Sequence, residues 1–480
     1  MRNYVRFYLN GEAQTVKGED AFLQMSDYLR YVRHLTGTKI VCAEGNCGSC
    51  TVMRALPLNA NKLDFVAVNS CIAPVYLFDG CHVVTVEGLK TANNLHPIQN
   101  SMVQNCGAQC GYCTSGFVMA ITNLFEQKQS VTEKHVKNYL TGNLCRCTGY
   151  FDIINSAMAV DPLQITYLRD QYFTGDSLKD LHEHHKVSVS IEFESLRLFI
   201  PTNLNEALRY KAERHHSRIV SGATDLGVQA NKDRIDLDDV MSLNLIEELY
   251  PIENNKNEVV IGAKASLARI QDATSDSLSD LSHFLNIFAS PQIKNHGTLS
   301  GNIINASPIA DTIPVLMIHD SRVEFASQSG VREVPLEKLY LGYKKLDLKA
   351  YEFLTKIIIP RVSENSFVRA YKVSQRRDLD ISGLNAAFLI RTDQNSVMDF
   401  RLSLGGVGPV TVRLRNTEAL LKGKKVNNSK LSDELVSQIK KSILTEIIPF
   451  SDLRGSKEFR QILALNLFDK FLAEWNSDVR

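Results

Sequence analysis

The first 87 residues alternate apolar and polar positions in the way that is typical of β-strands. Val5, Phe7 and Leu9 lead up to Asn10-Gly11, a two-residue hairpin signal, and a second strand is predicted through Val16. Three short apolar runs predict further strands at residues 51–56, 65–68 and 83–86. We therefore expect a small β-sheet domain over residues 1–87.

Beyond residue 88 the apolar positions follow the 3.6-residue period of helices. Phe117, Ile121 and Leu124 share one helical face, and a second helix is predicted from about residue 133 to Gly142. Several cysteines fall at the ends of these two helices. Residues 88–160 are therefore expected to form a helical domain around two antiparallel helices.

Residues 161–195 are polar, and we expect them to form an irregular linker. His182, His184 and His185 could bind a metal, but their spacing suits no helix-face pair and no partner cluster accompanies them. A solvated stretch is therefore the expected structure.

The remaining chain predicts two further regions. Mixed α/β patterns cover residues 196–362, beginning with a helix that Asn203 and Glu206 cap. Residues 366–480 show two strand-like runs followed by helices. The last helix is predicted to carry an apolar face made of Phe459, Ile462, Leu463, Leu467 and Phe471.

Composition and charge narrow the class of protein. The 480 residues are 44% hydrophobic and 22% charged, which is ordinary for a folded chain of several domains. Lys and Arg number 54 against 53 Asp and Glu, so no strong basic field indicates a nucleic-acid or anionic-membrane partner. The N-terminus lacks the apolar region of a signal peptide, and no apolar run is long enough to span a bilayer. A cytoplasmic protein is expected.

The cysteines are confined to one part of the chain. All 10 lie between Cys42 and Cys147, and without a secretion signal they indicate metal binding more than disulfides. The first quartet, Cys42-x4-Cys47-x2-Cys50-x20-Cys71, has the plant-type [2Fe–2S] spacing. A zinc site, the alternative, usually offers two Cys-x2-Cys pairs.

A second quartet follows in the helical segment. Its spacing is Cys110-x2-Cys113-x31-Cys145-x-Cys147, and Cys-x-Cys is too tight for the usual zinc site. A second [2Fe–2S] cluster clamped between helices is expected. Cys81 and Cys106 belong to neither quartet and are expected to be buried or idle thiols.

Two one-electron carriers in one chain call for a converter to two-electron chemistry, which a flavin provides. No Gly-x-Gly-x-x-Gly follows a strand, so a Rossmann site is not expected. Residues 219–227 offer a Gly-rich turn whose backbone N–H groups and Thr224 hydroxyl suit a diphosphate. Residues 297–311 offer small and polar residues for a flat cofactor, with Asp311 as an acceptor for a ribityl hydroxyl. Both stretches are also compatible with ordinary structural loops.

The order of these features resembles the small, iron–sulfur and FAD subunit of the bacterial xanthine dehydrogenases, in the molybdenum hydroxylase family. The most specific motifs are residues 42–50, 109–113 and 142–150, with weaker matches at 288–289, 299–311 and 452–456. The resemblance implies a multidomain α+β fold over nearly the whole chain. Its expected parts are a β-grasp ferredoxin-like domain (1–87), a helical-bundle [2Fe–2S] domain (88–160), a linker (161–195), a two-part α/β, non-Rossmann FAD-binding domain (196–362) and an α/β C-terminal flavoprotein domain (366–480).

The resemblance also implies a function and a partner. A separate molybdenum-binding large subunit, in an α2β2 heterotetramer, would carry molybdopterin and oxidise hypoxanthine and xanthine to urate. Electrons would pass through the Cys110/Cys113/Cys145/Cys147 cluster, the Cys42/Cys47/Cys50/Cys71 cluster and FAD to NAD. Gln109 would hydrogen-bond the pterin across the interface.

The family pattern assigns the flavin contacts position by position. The FAD diphosphate would lie against Ser221, Gly222, Ala223, Thr224 and Asp225. The flavin would be lined by Phe288, Ala289, Gly297, Thr298, Gly301, Asn302, Asn305, Ser307 and Asp311. Tyr371 is placed near the isoalloxazine ring or the NAD pocket.

Three departures from the family pattern leave the substrate open. Val41, Ser115 and Phe151-Asp152 replace residues usual in the family, but none is a cluster ligand. One alternative is the equivalent subunit of an aldehyde or N-heteroaromatic hydroxylase, since the partner chooses the substrate. Another is a non-catalytic metal-binding assembly protein, which leaves the 219–227 and 297–311 loops unexplained. Oligomeric state and the choice of NAD or oxygen as acceptor are not decided by the sequence.

Overall fold

A computed structural model describes residues 1–57, 64–90, 94–376, 379–426 and 430–478. The chain divides into two compact units. The first contains residues 1–249 and 289–298, and the second contains residues 250–288 and 299–480. No helix in the described ranges is both long and apolar enough to cross a membrane.

The first unit begins with a five-stranded sheet. Its strands are β1 (Val5–Leu9), β2 (Glu12–Val16), β3 (Thr51–Ala55), β4 (Val66–Asn69) and β5 (His82–Val84), in the order β2-β1-β5-β3-β4. β1 and β5 are parallel and the other pairs are antiparallel. The predicted hairpin is confirmed, with Asn10 and Gly11 both at positive φ (51° and 89°). A short helix α1 (Met25–Asp27) continues into a π-helical turn, Tyr28–Val32.

Four helices follow the sheet. They are α2 (Pro97–Gln104), α3 (Thr114–Gln127), α4 (Glu133–Tyr139) and α5 (Phe151–Met158). The helices predicted near residues 117–125 and 133–141 are confirmed as α3 and α4. α3 is buried from Gly116 to Phe125 because its apolar residues pack among the other helices and β3.

The prediction that residues 161–195 are irregular is wrong. This segment contains α6 (Leu168–Tyr172) and α7 (Gly175–His185). Ser177, Leu181 and His185 are buried at four-residue spacing, which gives the polar-looking α7 a single inward face. His185 is not solvated, since its Nε2 lies 2.8 Å from the Gly80 carbonyl oxygen. His182 Nε2 likewise lies 2.9 Å from the Pro57 carbonyl oxygen.

A second sheet completes the main part of the first unit. It contains β6 (Val189–Phe193), β7 (Leu196–Ile200), β8 (Arg218–Val220) and β9 (Asp239–Ser242), ordered β6-β7-β9-β8, with helices α8 (Leu204–Glu213) and α9 (Leu226–Asn231). The predicted cap of α8 is confirmed, because Asn203 Oδ1 accepts from the Glu206 N–H at 3.0 Å. Val5 and Phe7 of the first sheet share one apolar core with Ile191 and Leu198 of this one.

The chain enters the second unit at residue 250, returns to the first for residues 289–298, and then remains in the second. The second unit starts with β10 (Ile252–Asn254), β11 (Glu258–Gly262), α10 (Leu267–Ala273) and α11 (Ser279–Leu285), and α12 (Pro291–His296) belongs to the first. Next come α13 (Leu299–Ile304), α14 (Ile313–Ile318), β12 (Arg322–Ser327), β13 (Gly330–Pro335), α15 (Leu336–Leu339), β14 (Tyr340–Gly342), β15 (Lys345–Leu346) and β16 (Phe353–Pro360). The larger sheet has the order β10-β11-β16-β12-β13.

The second unit ends with an antiparallel sheet and three helices. These elements are β17 (Ser366–Val373), β18 (Leu384–Asp393), β19 (Ser396–Gly405), β20 (Val412–Arg413), α16 (Arg415–Leu421), α17 (Asp433–Glu446) and α18 (Lys457–Asp478). The predicted last helix is confirmed as α18, and Leu467 and Phe471 are buried against the sheet. Phe459 and Ile462 are exposed, so the predicted apolar face is wrong for the first turns of α18.

A buried ion pair in the second unit makes stability depend on pH. His319 Nε2 lies 2.8 Å from Asp280 Oδ2, and His319 Nδ1 lies 3.1 Å from the Pro360 carbonyl oxygen, so a doubly protonated ring satisfies both contacts. Burial lowers the pKa of His319, but the Asp280 carboxylate outweighs it and the net pKa is raised. Burial likewise raises the pKa of Asp280, yet His319 brings it below its usual range.

We expect His319→Gln to lower the free energy of unfolding by about 3–5 kcal/mol near pH 6, because it leaves Asp280 buried without its partner. In the wild type, the contribution of His319 is complete below its unfolded pKa and disappears as pH rises through its raised folded pKa. Urea unfolding between pH 5.5 and 9 measures this dependence. The range starts below the ordinary His pKa of about 6.5, so that it includes the pH at which the contribution of His319 is complete. His283→Gln, at an exposed position of α11, is the control. A variant as stable as this control would contradict the assignment.

Candidate functional site

The first cysteine quartet lies on a loop of turned backbone. Between β1–β2 and β3, Ala43, Gly45 and Gly48 have positive φ (52°, 68° and 70°), which lets the loop fold back on itself. Cys50 and Cys71 are buried with their Sγ atoms 3.3 Å apart. Cys71 lies in the single 3₁₀ turn Ser70–Ile72, directly after β4.

Hydrogen bonds to the sulfurs favour the thiolate form that binds iron. The N–H groups of Glu44 and Asn46 each lie 3.4 Å from Cys42 Sγ. Side-chain hydrogen bonds with Cys47 and then Cys71 lower the pKa of Cys42. The four thiols are thus mutual neighbours, as a plant-type cluster requires.

The second quartet is more exposed. Cys110 and Cys147 are at the surface with their Sγ atoms 3.6 Å apart. Cys113 is the N-cap residue of α3 and contacts Cys145, and burial together with Cys145 raises the pKa of Cys113 to about 12. Cys145 and Cys147 were expected at a helix end, but they lie in the connection between α4 and α5, where the Tyr150 hydroxyl accepts from the Cys145 N–H at 3.0 Å.

Sulfur positions in both quartets suit two-iron clusters. The sulfurs lie in close pairs, such as Cys50 with Cys71 and Cys110 with Cys147. A [2Fe–2S] cluster held by four cysteines divides them between its two irons, so these residues fit such a group.

Direct backbone contact joins the two cysteine loops. The N–H of Leu144, next to Cys145, donates to the Cys47 carbonyl oxygen at 3.0 Å. Asn143 Nδ2 donates to the Gly48 carbonyl oxygen at 3.3 Å. A Cβ on Gly116 would lie only 2.2 Å from that same oxygen. The start of α3 can approach the first loop this closely only because residue 116 has no side chain.

Exposed apolar side chains lie close in sequence to the cysteines of the second quartet. Tyr112, Leu144 and Phe151 are 51%, 47% and 70% exposed, and each is within four residues of a cysteine of that quartet. Gln109, predicted to contact a pterin, is also exposed. This part of the surface has the composition of a protein interaction site.

In the first unit, two of the predicted flavin segments meet. Residues 221–225 form the turn between β8 and α9. A Cβ on Gly222 would lie 2.1 Å from the His296 carbonyl oxygen and 3.1 Å from Gly297 Cα. The turn that contains Thr224 therefore packs directly against the segment that contains Gly297 and Thr298.

In the second unit, Asp311 is the centre of a buried polar cluster. Its carboxylate accepts hydrogen bonds from Ser382 Oγ (2.5 Å), Asn385 Nδ2 (2.9 Å) and Lys372 Nζ (2.6 Å). Lys372 Nζ also lies 5.7 Å from the centroid of the Phe288 ring. The structure therefore brings together two predicted flavin residues, Phe288 and Asp311, through a lysine that sequence reasoning missed.

The other predicted residues of this unit lie on or just after α13. Gly301 and Asn302 are on the helix, and Asn302 Oδ1 accepts from Thr312 Oγ1 at 2.6 Å. Asn305 and Ser307 are in the turn that follows. Asn305 Oδ1 accepts from Lys344 Nζ at 2.7 Å.

Tyr371 does not reach the Asp311 cluster. Consecutive side chains of β17 point to opposite faces, so Tyr371 faces away from Lys372. The Tyr371 hydroxyl donates to Glu474 of α18 at 3.0 Å, and its ring packs against Phe388. The alternation of side chains along β17 was the signal in the sequence that could have separated Lys372 from Tyr371.

Three alanines with left-handed backbone lie in the flavin segments. Ala223, Ala289 and Ala306 have φ of 55°, 58° and 50°. This conformation costs an L-residue about 1–2 kcal/mol and persists where surrounding structure imposes it, often at ligand sites. Within each unit, small residues in tightly turned backbone fit the close approach that FAD requires.

Neither remaining cysteine joins a quartet. Cys81 is fully buried, and Arg54 Nε donates to its Sγ at 3.2 Å. Cys106 is exposed in the turn after α2.

We expect Gly116→Ala to lower the free energy of unfolding by about 1–3 kcal/mol, because its Cβ meets backbone that cannot rotate away. Thermal or urea unfolding measures the loss. Gly175→Ala is the control, since nothing lies within 4 Å of a Cβ there, and its effect should stay within about 0.5 kcal/mol. Equal stability of the two variants would show that the contact of residue 116 with Gly48 is not tight.

Three sequence families match separate segments of the chain. Residues 85–158 match a [2Fe–2S] binding domain, residues 192–362 match the FAD binding domain in molybdopterin dehydrogenase, and residues 369–475 match the CO dehydrogenase flavoprotein C-terminal domain. Both predicted flavin stretches fall within the second match.

Nearly the whole chain is also similar to a part of several larger proteins. The chain is 30% identical to xanthine dehydrogenase 2 of Arabidopsis thaliana and 28% identical to aldehyde oxidase 2 of Mus musculus. These alignments cover 97% and 98% of this chain but 39% of each relative, so the chain spans about two fifths of their length.

Solved structures share the fold of part of the chain. Carbon monoxide dehydrogenase from Hydrogenophaga pseudoflava is 22% identical with a TM-score of 0.54, covering 57% of this chain and 95% of that one. Quinoline 2-oxidoreductase from Pseudomonas putida 86 is 20% identical with a TM-score of 0.54, covering 60% and 99%. Together, the three family matches show that this chain carries a [2Fe–2S] binding domain, an FAD binding domain of the kind found in molybdopterin dehydrogenases and a CO dehydrogenase flavoprotein C-terminal domain.

Proposed function

We propose that this protein is the electron-transfer subunit of a xanthine dehydrogenase. In this role it connects a molybdopterin site on a large partner subunit, where hypoxanthine and xanthine are oxidised to urate, with the acceptor NAD, by way of two [2Fe–2S] clusters and FAD. The observation that carries the proposal is the backbone contact between the two quartets, Leu144 N–H to the Cys47 carbonyl oxygen, in a chain that also carries an FAD-binding domain.

The finer fold assignment is part of the proposal. The sheet order β2-β1-β5-β3-β4, with its central parallel pair, supports a β-grasp ferredoxin-like domain around the first quartet. The four helices α2–α5 support a helical-bundle domain around the second. A glycine turn without the Rossmann spacing supports a non-Rossmann FAD domain.

Burial of the quartets supports a direction for electron transfer. Cys110 and Cys147 are exposed among apolar side chains, which suits a partner subunit at that surface and Gln109 in contact with its cofactor. Cys50 and Cys71 are buried, and α9 packs on the Cys71 turn because Gly227 lies against the Ile72 carbonyl oxygen. The second quartet is therefore the more exposed of the two, whereas α9, which follows the Ser221–Asp225 turn, packs on the turn that carries Cys71.

The residues of this chain hold and orient the proposed cofactors. The turn 221–225 offers backbone N–H groups for the FAD diphosphate, and Asp311, held by Lys372 and Ser382, offers a fixed acceptor. Bound FAD converts single electrons into the two-electron chemistry of NAD.

The substrate rests on similarity alone. Several of the curated relatives are xanthine dehydrogenases, whereas aldehyde oxidase 2 is 28% identical over a similar length. An aldehyde or N-heteroaromatic hydroxylase subunit is therefore the second candidate. The two candidates would differ in the partner subunit, whereas the cluster and flavin residues of this chain would have the same roles in either enzyme.

Cofactor content is the first test. Protein purified without oxygen should contain about four irons and one FAD per chain, because two [2Fe–2S] clusters need two irons each. Cys147→Ser should lose about half of the iron and acid-labile sulfide and keep FAD. Cys106→Ser, at the exposed cysteine outside both quartets, is the matched control and should lose neither. Zinc in place of iron, or loss of FAD with Cys147, would contradict the proposal.

Substrate and acceptor are tested with the partner. The chain co-produced with its molybdenum-binding subunit should form a heterotetramer and reduce NAD with xanthine. Aldehydes and quinoline are the comparison substrates, and oxygen is the comparison acceptor. Turnover with an aldehyde or quinoline but not with xanthine would replace the first candidate by the second.

A further inference from the structure

One half-buried amide joins the two sides of the first cysteine quartet. Asn231, the last residue of α9, donates from Nδ2 to the Ala43 carbonyl oxygen (2.8 Å) and to the Cys71 carbonyl oxygen (2.7 Å). Its Oδ1 accepts from Gln24 Nε2 at 3.0 Å. Both protons and one lone pair of the amide are therefore used.

Asn231 connects segments that the two cysteine pairs depend on. Ala43 follows Cys42, while Cys71 pairs with Cys50 at 3.3 Å between their sulfurs. Ala43 also has left-handed φ (52°), a conformation that needs support from its surroundings. One side chain thus fixes the loop that carries Cys42 relative to the turn that carries Cys71.

The position of Asn231 is itself fixed by the packing of α9. A Cβ on Gly227 would lie 2.2 Å from the Ile72 carbonyl oxygen, so the helix lies directly on the Cys71 turn. Val228 packs with Cys50, Cys71 and Ile72 in one small apolar cluster. Lys232, just beyond the helix, forms an ion pair with Glu44 of the cysteine loop.

We propose that Asn231 is a positioning residue that sets the environment of the Cys42/Cys47/Cys50/Cys71 cluster from the helix that begins at the predicted FAD turn. The inference rests on the proposed function, because it requires a [2Fe–2S] cluster in that quartet. Its role is to keep the loop closed over the sulfurs. Cluster potentials depend on solvent exposure and on hydrogen bonds around the sulfurs, so opening the loop changes the potential.

Asn231→Asp tests the hydrogen bonds separately from the shape. The carboxylate is nearly isosteric with the amide but offers no donor to the two carbonyl oxygens, and it places negative charge against them. In anaerobically purified chain with both clusters and FAD, we expect the reduction midpoint of one cluster to shift and its electron paramagnetic resonance signal to change. The other cluster and the FAD content should stay as in the wild type. Redox titration followed by this resonance measures both clusters in one sample.

Two further variants keep the test decisive. Asn231→Ala removes the donors without adding charge and should give a smaller shift of the same cluster, and it serves in place of Asn231→Asp if that protein does not accumulate. Asn138→Ala, at an exposed position of α4, is the matched control and should shift neither cluster. Unchanged midpoints and signals in both Asn231 variants would overturn the inference, as would loss of FAD with both clusters unaltered. Wild-type protein without iron would instead overturn the proposed function.

Discussion

Close contact between two cysteine loops is the constraint on which the first unit depends. Gly48 has positive φ and presents its carbonyl oxygen to Gly116 and to Asn143, and neither glycine has a side chain that would hold the loops apart. The Leu144 to Cys47 hydrogen bond then joins backbone next to one quartet with a cysteine of the other. Electron tunnelling between redox centres weakens steeply with distance. Glycine at these positions favours electron transfer because it lets the two cysteine loops lie close together.

The local part of the site could be predicted from the sequence. Spacings such as Cys42-x4-Cys47 are set by a single loop, so candidate ligands can be proposed without knowing the fold. The Asn10-Gly11 hairpin and the Asn203 cap depend on a few neighbouring residues and were predicted for the same reason. The structure brings each quartet together as the spacing indicates.

Other parts depend on contacts that are distant in sequence. Lys372, Ser382 and Asn385 approach Asp311 from 61 to 74 residues away. The alternation of β17 separates Lys372 from Tyr371, but the local sequence does not reveal that any of the three residues meets Asp311. Asn231 reaches Ala43 across 188 residues. α7 was missed because its inward face includes His185, whose Nε2 contacts the Gly80 carbonyl oxygen, and the number of polar residues in a segment cannot reveal such a distant partner.

The shared apolar core of the first unit limits how freely its parts can be exchanged. Val5 and Phe7 of the first sheet pack in the same cluster as Ile191, Leu198 and Val240 of the second. A graft of another ferredoxin in place of residues 1–87 would have to reproduce that packing surface as well as the cysteine spacing. Recombination among relatives is therefore expected to succeed when both sheets are inherited together, so that the unit of modularity is larger than the segment that carries one cluster.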